Sequence, residues 1–230
     1  MRVWSVDSQK GGSGKTTLVL HLGVHAASEG LNVLIIDLDP QDSAERWSRV
    51  RELVSDEPAI VRGPPQKLPE MLRTARRHGA DLVLVDTPPQ NGAAALAAAK
   101  VADVILVPCR GSILDLQAIG DTKGQLSLAG LTRRASIILN ALPTQRGSEA
   151  IIREVVTSAV AHGLHVMPAR LSERTAFSQS LKKGKGVTED EPNGQAAKEI
   201  RGLYQAICER QEELWAAEAR RTERGKRSAR

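Results

Sequence analysis

The sequence contains few aromatic residues: Phe, Trp and Tyr together account for 2% of its 230 residues. Proteins that bind single-stranded nucleic acids commonly stack the bases on aromatic side chains. The scarcity of such side chains therefore argues against a stacking surface. The apolar content is nevertheless 41%, which is sufficient for a substantial core made mainly of Leu, Val, Ile and Ala.

Cysteines are also scarce, and the two that occur, Cys109 and Cys208, lie far apart in the sequence. Their number and spacing exclude a disulfide framework and match no metal-binding motif. A reducing compartment fits this pattern, so we expect a cytoplasmic protein. No apolar run reaches the roughly 18 residues typical of a membrane span. The first residues lead directly into a strand and a glycine-rich loop, so we expect neither a signal peptide nor a membrane partner.

The net charge is weakly positive, at +5 from 32 Lys and Arg against 27 Asp and Glu. An excess of this size permits a polyanionic or acidic partner but does not establish one. The charge alone is equally compatible with a basic protein that binds no polyanion.

Short apolar runs alternate with helical stretches along the chain, and residues 33–36 (VLII) and 82–85 (LVLV) are typical of strands buried on both faces of a parallel sheet. This alternation predicts an α/β protein with a mostly parallel sheet flanked by helices on both faces. We expect one domain over residues 1–215 and a charged tail over 216–230 that is disordered. The predicted strands are 3–6, 33–36, 82–85, 104–107, 136–139 and a short one near Val166; the predicted helices are 16–29, 44–54, 68–78, 93–100, 114–128, 149–162 and one from 195, with an exposed loop at 182–194.

Residues 9–17 (QKGGSGKTT), here called the phosphate loop, lie between the first predicted strand and the first predicted helix. Glycines allow the backbone to turn its N–H groups onto phosphate oxygens, and the following helix adds the positive end of its dipole. Lys15 is placed to reach the β- and γ-phosphates of a nucleotide, and the Thr16 hydroxyl to ligate Mg²⁺. A glycine-rich turn without a ligand is the alternative. The predicted nucleotide-binding residues here are Gly11, Gly12, Ser13, Gly14, Lys15, Thr16 and Thr17.

Acidic residues follow two predicted strands, at the edge where parallel sheets bind ligands. Asp37 and Asp39 (IIDLDPQ) are two residues apart, and the period of a strand predicts that both carboxylates lie on one side, near the γ-phosphate and Mg²⁺. Asp86 follows four apolar residues (LVLVD), which is the Walker B pattern of a residue that holds Mg²⁺ through water. Acids that merely begin a turn after each strand are the alternative.

The phosphate loop contains a second lysine, Lys10, which the common phosphate-loop pattern does not require. The segment KGGSGKT resembles the signature of the deviant Walker A ATPases, and the segments DLDPQ and VDTPP resemble those of the ParA partition ATPases in that class. The resemblance covers residues 1 to about 207 and is closest to small ParA proteins such as ParF. It implies a single-domain P-loop NTPase fold, with ATP and Mg²⁺ as cofactors of ATP hydrolysis.

The resemblance also implies catalytic roles. Lys10 would reach the nucleotide of a second subunit, so that ATP becomes part of a homodimer contact; a surface lysine beside the loop is the alternative. Lys15 would bind the phosphates, and Asp39 would position or polarise the attacking water. Asp37 would support the magnesium shell, together with Thr16 and Asp86.

For the base, the resemblance implies a contact from Asn140, which follows a predicted strand; an ordinary turn residue is the alternative. Residues 168–173 (PARLSE) resemble the loop that closes over the base and ribose, with Pro168 and Arg170 as contacts.

ParA proteins bind double-stranded DNA without sequence preference when ATP-bound, and a ParB-like centromere-binding protein stimulates their hydrolysis. The resemblance therefore implies these two partners and a protein that is nucleoid-associated in its ATP state. Such DNA binding rests on cations and is sensitive to salt, although each cation is equally compatible with an idle surface charge. The candidates are Arg170, Arg174, Lys182, Lys183 and Lys185.

Other functions remain compatible with the sequence. An ATP-dimerised DNA-binding recruiting factor with little turnover would carry the same motifs. A metabolic phosphotransferase of the same fold would have no need for Lys10. A membrane-anchored protein of the MinD type is disfavoured, because bulky apolar residues are absent after Trp215.

Overall fold

The computed structural model describes residues 1–89, 92–111, 113–144 and 148–228. Within these residues, seven strands form one sheet in which all neighbouring strands are parallel. The strands are β1 (Arg2–Val6), β2 (Val33–Asp37), β3 (Ala59–Arg62), β4 (Leu82–Asp86), β5 (Val104–Cys109), β6 (Ala135–Leu142) and β7 (His165–Ser172).

The strand order is β3-β2-β4-β1-β5-β6-β7, so β1 lies at the centre of the sheet. The loops that follow β1, β2, β4 and β5 therefore meet at one edge, which is where open parallel sheets bind ligands. The predicted α/β fold is confirmed, and the sheet is entirely parallel.

Helices cover both faces of the sheet, as its buried strands require. Within the described residues, none of these helices combines the length and apolarity needed to cross a bilayer. The helices are α1 (Lys15–Ser28), α2 (Ser43–Arg51), α3 (Leu68–Arg77), α4 (Gly92–Val101), α5 (Ile113–Leu128), α6 (Ser148–Ala161), α7 (Thr175–Lys182), α8 (Val187–Asp190) and α9 (Gln195–Ser228).

Alternate residues of each strand contribute to the core on opposite faces of the sheet. Trp4 and Leu84 belong to a cluster with side chains of α1, α8 and α9. Val3 and Val83 belong to a cluster on the other face, with side chains of α3 and α4. Burial on both faces explains why β2, β4 and β5 are largely continuous apolar runs in the sequence.

The two edge strands differ from the predictions. β3 was not predicted, because its side chains are largely exposed and no buried apolar run marks it. β7 is eight residues long, whereas the sequence predicted a short strand near Val166 and a loop from residue 168. Pro168 fits within β7 because the strand lies at the sheet edge, and its pairing with β6 is irregular there.

Two later segments are also more ordered than predicted. The expected exposed loop at 182–194 contains α8, and Val187 within it is 1% exposed because it packs into the core. Helix α9 continues to Ser228 through the segment predicted to be disordered, which is rich in the strong helix formers Ala, Glu and Arg. Residues 229–230 lie outside the described residues, and the domain boundary at 215 stays a prediction.

Candidate functional site

The phosphate loop passes directly from β1 into α1, and a glycine is required at its last turn. Gly14 has a φ of +89°, which L side chains rarely adopt, and a Cβ there would lie 2.6 Å from Asn140 Nδ2. The same Nδ2 atom donates a buried hydrogen bond of 2.7 Å to the Ser13 carbonyl. Asn140, at the end of β6, therefore fixes the backbone of the phosphate loop.

A cavity of about 330 Å³ opens over the phosphate loop and is here called the loop cavity. Its wall includes residues from the loops after β1, β2, β4 and β5, as expected for the carboxyl edge of the sheet. The lining residues are Gly12, Ser13, Gly14, Lys15, Thr16, Thr17, Asp39, Gln41, Ser43, Pro89 and Arg110.

Thr16, which lines this cavity, forms a pair with the buried Asp86. The Thr16 hydroxyl donates to Asp86 Oδ2 at 2.7 Å, and Asp86 is 1% exposed. Burial raises the pKa of Asp86 to about 7, although the hydrogen bond from Thr16 acts in the opposite direction. Asp86 Oδ1 is buried and has no hydrogen-bond partner in the described part of the chain. A hydroxyl beside an unsatisfied carboxylate oxygen fits Mg²⁺, which takes oxygen ligands and keeps several waters.

Lys15 is 7% exposed and its Nζ donates to the Ser8 carbonyl at 3.4 Å. Burial lowers the pKa of Lys15, although the carboxylates of Asp86, Asp7 and Asp39 attract its charge. An ammonium held among carboxylates in a cavity of backbone N–H groups is suited to binding phosphate.

Asp7 is a member of this cluster that the sequence analysis missed. It lies one residue beyond β1 and is 3% exposed, and burial raises its pKa to about 6 although Lys15 acts in the opposite direction. An acid placed directly after a buried strand was the available signal, since the same signal identified Asp37 and Asp86.

The structure separates the two carboxylates that were expected on one side. Strand β2 ends at Asp37, so its alternation does not extend to Asp39, and only Asp39 lines the loop cavity. Asp37 is fully buried, and its oxygens accept hydrogen bonds from the backbone N–H groups of Asp39, Ala44 and Glu45 at 2.9, 3.0 and 3.3 Å. Asp37 thus holds Asp39 and the start of α2, and its magnesium role stays a prediction.

Lys10 is partly buried in the turn that precedes the cavity, and its backbone N–H donates to Ser8 Oγ at 3.3 Å. Among the described residues that line the loop cavity, Lys10 is absent. This placement leaves its predicted role across a dimer interface as a prediction.

A second cavity of about 470 Å³, here called the adjoining cavity, continues from the loop cavity between α1, α7 and the ends of β6 and β7. The two cavities share Gly14, Thr17 and Arg110. The wall of the adjoining cavity is mostly apolar, which suits a nucleoside. Its other lining residues are Leu18, His21, Trp47, Asn140, Ala141, Leu171, Ser172, Glu173, Arg174, Phe177, Ser178, Leu181, Lys182 and Ile200.

Of the predicted base contacts, Asn140 lines the adjoining cavity, but Pro168 and Arg170 do not. Both lie within β7 and are exposed, because the expected loop at 168–173 is a strand up to Ser172. Ser172 and Glu173 from the same segment do line the cavity. The base contacts of Pro168 and Arg170 stay predictions.

Comparison with known proteins identifies the family. A family model described as the CobQ/CobB/MinD/ParA nucleotide-binding domain matches residues 4–187. The chain belongs to this family. The predicted relationship to the ParA partition ATPases is thereby confirmed.

Relatives within the family align over most of the chain. The chromosome-partitioning ATPase Soj of Thermus thermophilus is 26% identical, over 91% of this chain and 96% of its own length. The maintenance of carboxysome distribution protein A of Gloeobacter kilaueensis is 30% identical, over 93% of this chain and 95% of its own. The ATP complex of a McdA variant from Cyanothece shares the fold, with a TM-score of 0.69 and 18% identity over 90% of this chain and 96% of that one.

Three of the five cations predicted to bind DNA already have carboxylate partners. Arg174 donates to Glu199 at 2.9 Å, and Lys183 to Asp190 at 2.7 Å. Arg170 lies 3.5 Å from Glu149, with both side chains exposed. Lys182, exposed at the end of α7, and the partly buried Lys185 remain as the cations of this set without an ion pair to the described residues.

Lys182 and Lys185 lie in the segment that contains α7 and α8. This segment is hydrogen-bonded to α1 and α2, the two helices that begin at the loop cavity. From α1, His21 accepts a hydrogen bond from the Val187 N–H and donates one to the Phe177 carbonyl, at 3.2 and 3.1 Å. From α2, the Trp47 indole N–H donates to the Leu181 carbonyl at 2.9 Å. His21 therefore fixes both α7 and α8, and Trp47 fixes α7.

Proposed function

We propose that this protein is an ATPase of the ParA type that dimerises on ATP, binds DNA non-specifically and drives plasmid or chromosome segregation. ATP hydrolysis is supported by one observation: Lys15, Thr16 and Asp39 all line the loop cavity, and Thr16 is hydrogen-bonded to Asp86. Family membership supports the nucleotide, and the relative Soj is itself named a chromosome-partitioning ATPase.

The residues of the cavity suit phosphoryl transfer to water. The N–H groups of the loop bind the α- and β-phosphates, and Lys15 reaches the β- and γ-phosphates. Thr16 and Asp86 would hold Mg²⁺, an ion that would supply charge neutralisation at the phosphoryl oxygens. Asp39 accepts a hydrogen bond from the Gln41 N–H at 2.9 Å, which fixes the carboxylate that orients the attacking water.

Hydrolysis is tested with Asp39→Ala. We expect this variant to keep ATP binding and to lose turnover, because Asp39 orients water and does not hold the loop. The matched control is Asp56→Ala, which removes an exposed aspartate elsewhere. Phosphate release is measured with and without Mg²⁺, and ATP affinity by fluorescence of a labelled analogue. Wild-type turnover in Asp39→Ala would remove Asp39 from the mechanism.

Dimerisation is tested with the same hydrolysis-deficient variant. Light scattering after gel filtration is expected to give the mass of a dimer with Mg²⁺-ATP and of a monomer with ADP. Adding Lys10→Ala should return the ATP sample to a monomer, since the proposed contact across the interface is lost. A dimer that persists without Lys10 would contradict this role.

DNA binding is tested by anisotropy of labelled duplexes of unrelated sequence at several salt concentrations. Lys182→Ala with Lys185→Ala should weaken binding for all sequences and reduce the salt dependence, whereas the exposed Lys100→Ala serves as a control. A ParB-like protein encoded beside this chain should raise turnover. Strong DNA binding with negligible turnover under all these conditions would instead favour the recruiting factor.

A further inference from the structure

Arg110 lines both cavities and belongs to none of the sequence motifs described above. It directly follows Cys109, the last residue of β5, a strand whose side chains are all buried. β5 is the neighbour of β1 in the sheet, so Arg110 lies beside the phosphate loop. Its side chain is exposed, and it has no hydrogen-bond or ion-pair partner within the residues that the structure describes.

Gly14, Thr17 and Arg110 are shared by both cavities. A nucleotide has its phosphates at one end and its nucleoside at the other, joined at the α-phosphate. If the β- and γ-phosphates lie in the loop cavity and the nucleoside lies in the adjoining cavity, the α-phosphate that links them lies beside Gly14, Thr17 and Arg110. The backbone N–H groups of phosphate loops hold the α- and β-phosphates, which agrees with the position of Gly14 and Thr17.

We propose that the Arg110 guanidinium binds the α-phosphate of the nucleotide in its own subunit. This inference rests on the proposed ATP-binding function. The γ-phosphate is the less suitable contact, because Thr16 and Asp39, the proposed magnesium and water-orienting residues, line the loop cavity but not the adjoining one. A planar guanidinium presents paired N–H donors that match phosphate oxygens.

The α-phosphate is present in both ATP and ADP and does not change during hydrolysis. Arg110 should therefore stabilise the substrate and the transition state equally, which lowers KM without changing kcat. A residue at the γ-phosphate would behave differently, because it would distinguish ATP from ADP and would affect kcat.

The test compares Arg110→Ala, Arg110→Lys and the control Arg73→Ala, which removes an exposed arginine of α3. Affinities for labelled ATP and ADP and steady-state kinetics are measured for each. We expect Arg110→Ala to weaken both nucleotides by about 10- to 100-fold, the range for a hydrogen-bonded charged contact, and to raise KM while kcat stays within about twofold. Arg110→Lys should recover part of the affinity, and Arg73→Ala should match the wild type.

Two results would overturn the inference while leaving the proposed function intact. Unchanged affinities in Arg110→Ala would show that the guanidinium does not contact the nucleotide. Loss of ATP affinity with ADP affinity kept, or loss of kcat alone, would place it at the γ-phosphate instead. If the wild type binds neither nucleotide, the proposed function itself fails, and the inference fails with it.

Discussion

Replacing Arg51 should reveal how strongly the segment containing α7 and α8 is held against α2. Arg51 is the last residue of α2 and is 3% exposed. Its Nη1 and Nη2 donate to the two carboxylate oxygens of Glu189 at 2.6 and 2.8 Å. The guanidinium also donates to the carbonyls of Gly184 and Glu57 at 2.9 and 2.7 Å. The variant Arg51→Met keeps the aliphatic stem and removes all of these bonds.

The size of the effect follows from the burial of the pair. Removing one partner of a buried ion pair costs about 3–5 kcal/mol, because the remaining charge is left without compensation. The Glu189 side chain is 28% exposed and keeps a hydrogen bond from the Gly186 N–H at 3.2 Å. Since water reaches this carboxylate, we expect a value near the lower end, about 3 kcal/mol. The melting temperature should fall by about 6–12 °C for a domain of this size.

Urea and thermal unfolding followed by circular dichroism measure this loss. The control is Arg170→Ala, which removes an ion pair to Glu149 whose side chains are 54% and 66% exposed. Exposed pairs of this kind are worth less than about 1 kcal/mol. If Arg51→Met loses no more stability than this control, then the Arg51–Glu189 pair does not hold the segment in solution.

Two further variants test the environments of buried polar groups. Burial lowers the pKa of His21 to about 4 from its ordinary 6.5, although its hydrogen bond to the Phe177 carbonyl acts in the opposite direction. The unfolded chain therefore binds the proton first, so acidification from pH 7 to 5 should destabilise the wild type by about 2 kcal/mol more than His21→Gln. Urea unfolding at both pH values measures the difference, and equal losses would contradict it. Asn140→Ala leaves the Ser13 carbonyl without its 2.7 Å donor, which costs about 1–3 kcal/mol. Binding of ATP and ADP should weaken by about tenfold or more, and unchanged affinities would show that this bond does not hold the phosphate loop.

The phosphate loop and the central strands were predictable because their signals are local. Continuous apolar runs mark strands buried on both faces, and β2, β4 and β5 have such runs. Gly12 and Gly14 of the phosphate loop have φ values of +73° and +89°, a local backbone requirement that a glycine pattern in the sequence reveals. The edge strands β3 and β7 were missed or shortened because exposed strands need no apolar run.

The sequence by itself determined which residues form the phosphate loop and that polar groups follow the strands at one edge of the sheet. Only the tertiary structure decided that Asp39 lines the cavity while Asp37 caps α2, and that Asp7 and Arg110 join the same site. It also decided which cations form ion pairs. Arg174 pairs with Glu199, and Arg51 pairs with Glu189, which is 138 residues away in the sequence. The burial of a side chain and its ion pairs depend on groups that are distant in the sequence, so a local sequence pattern does not predict them.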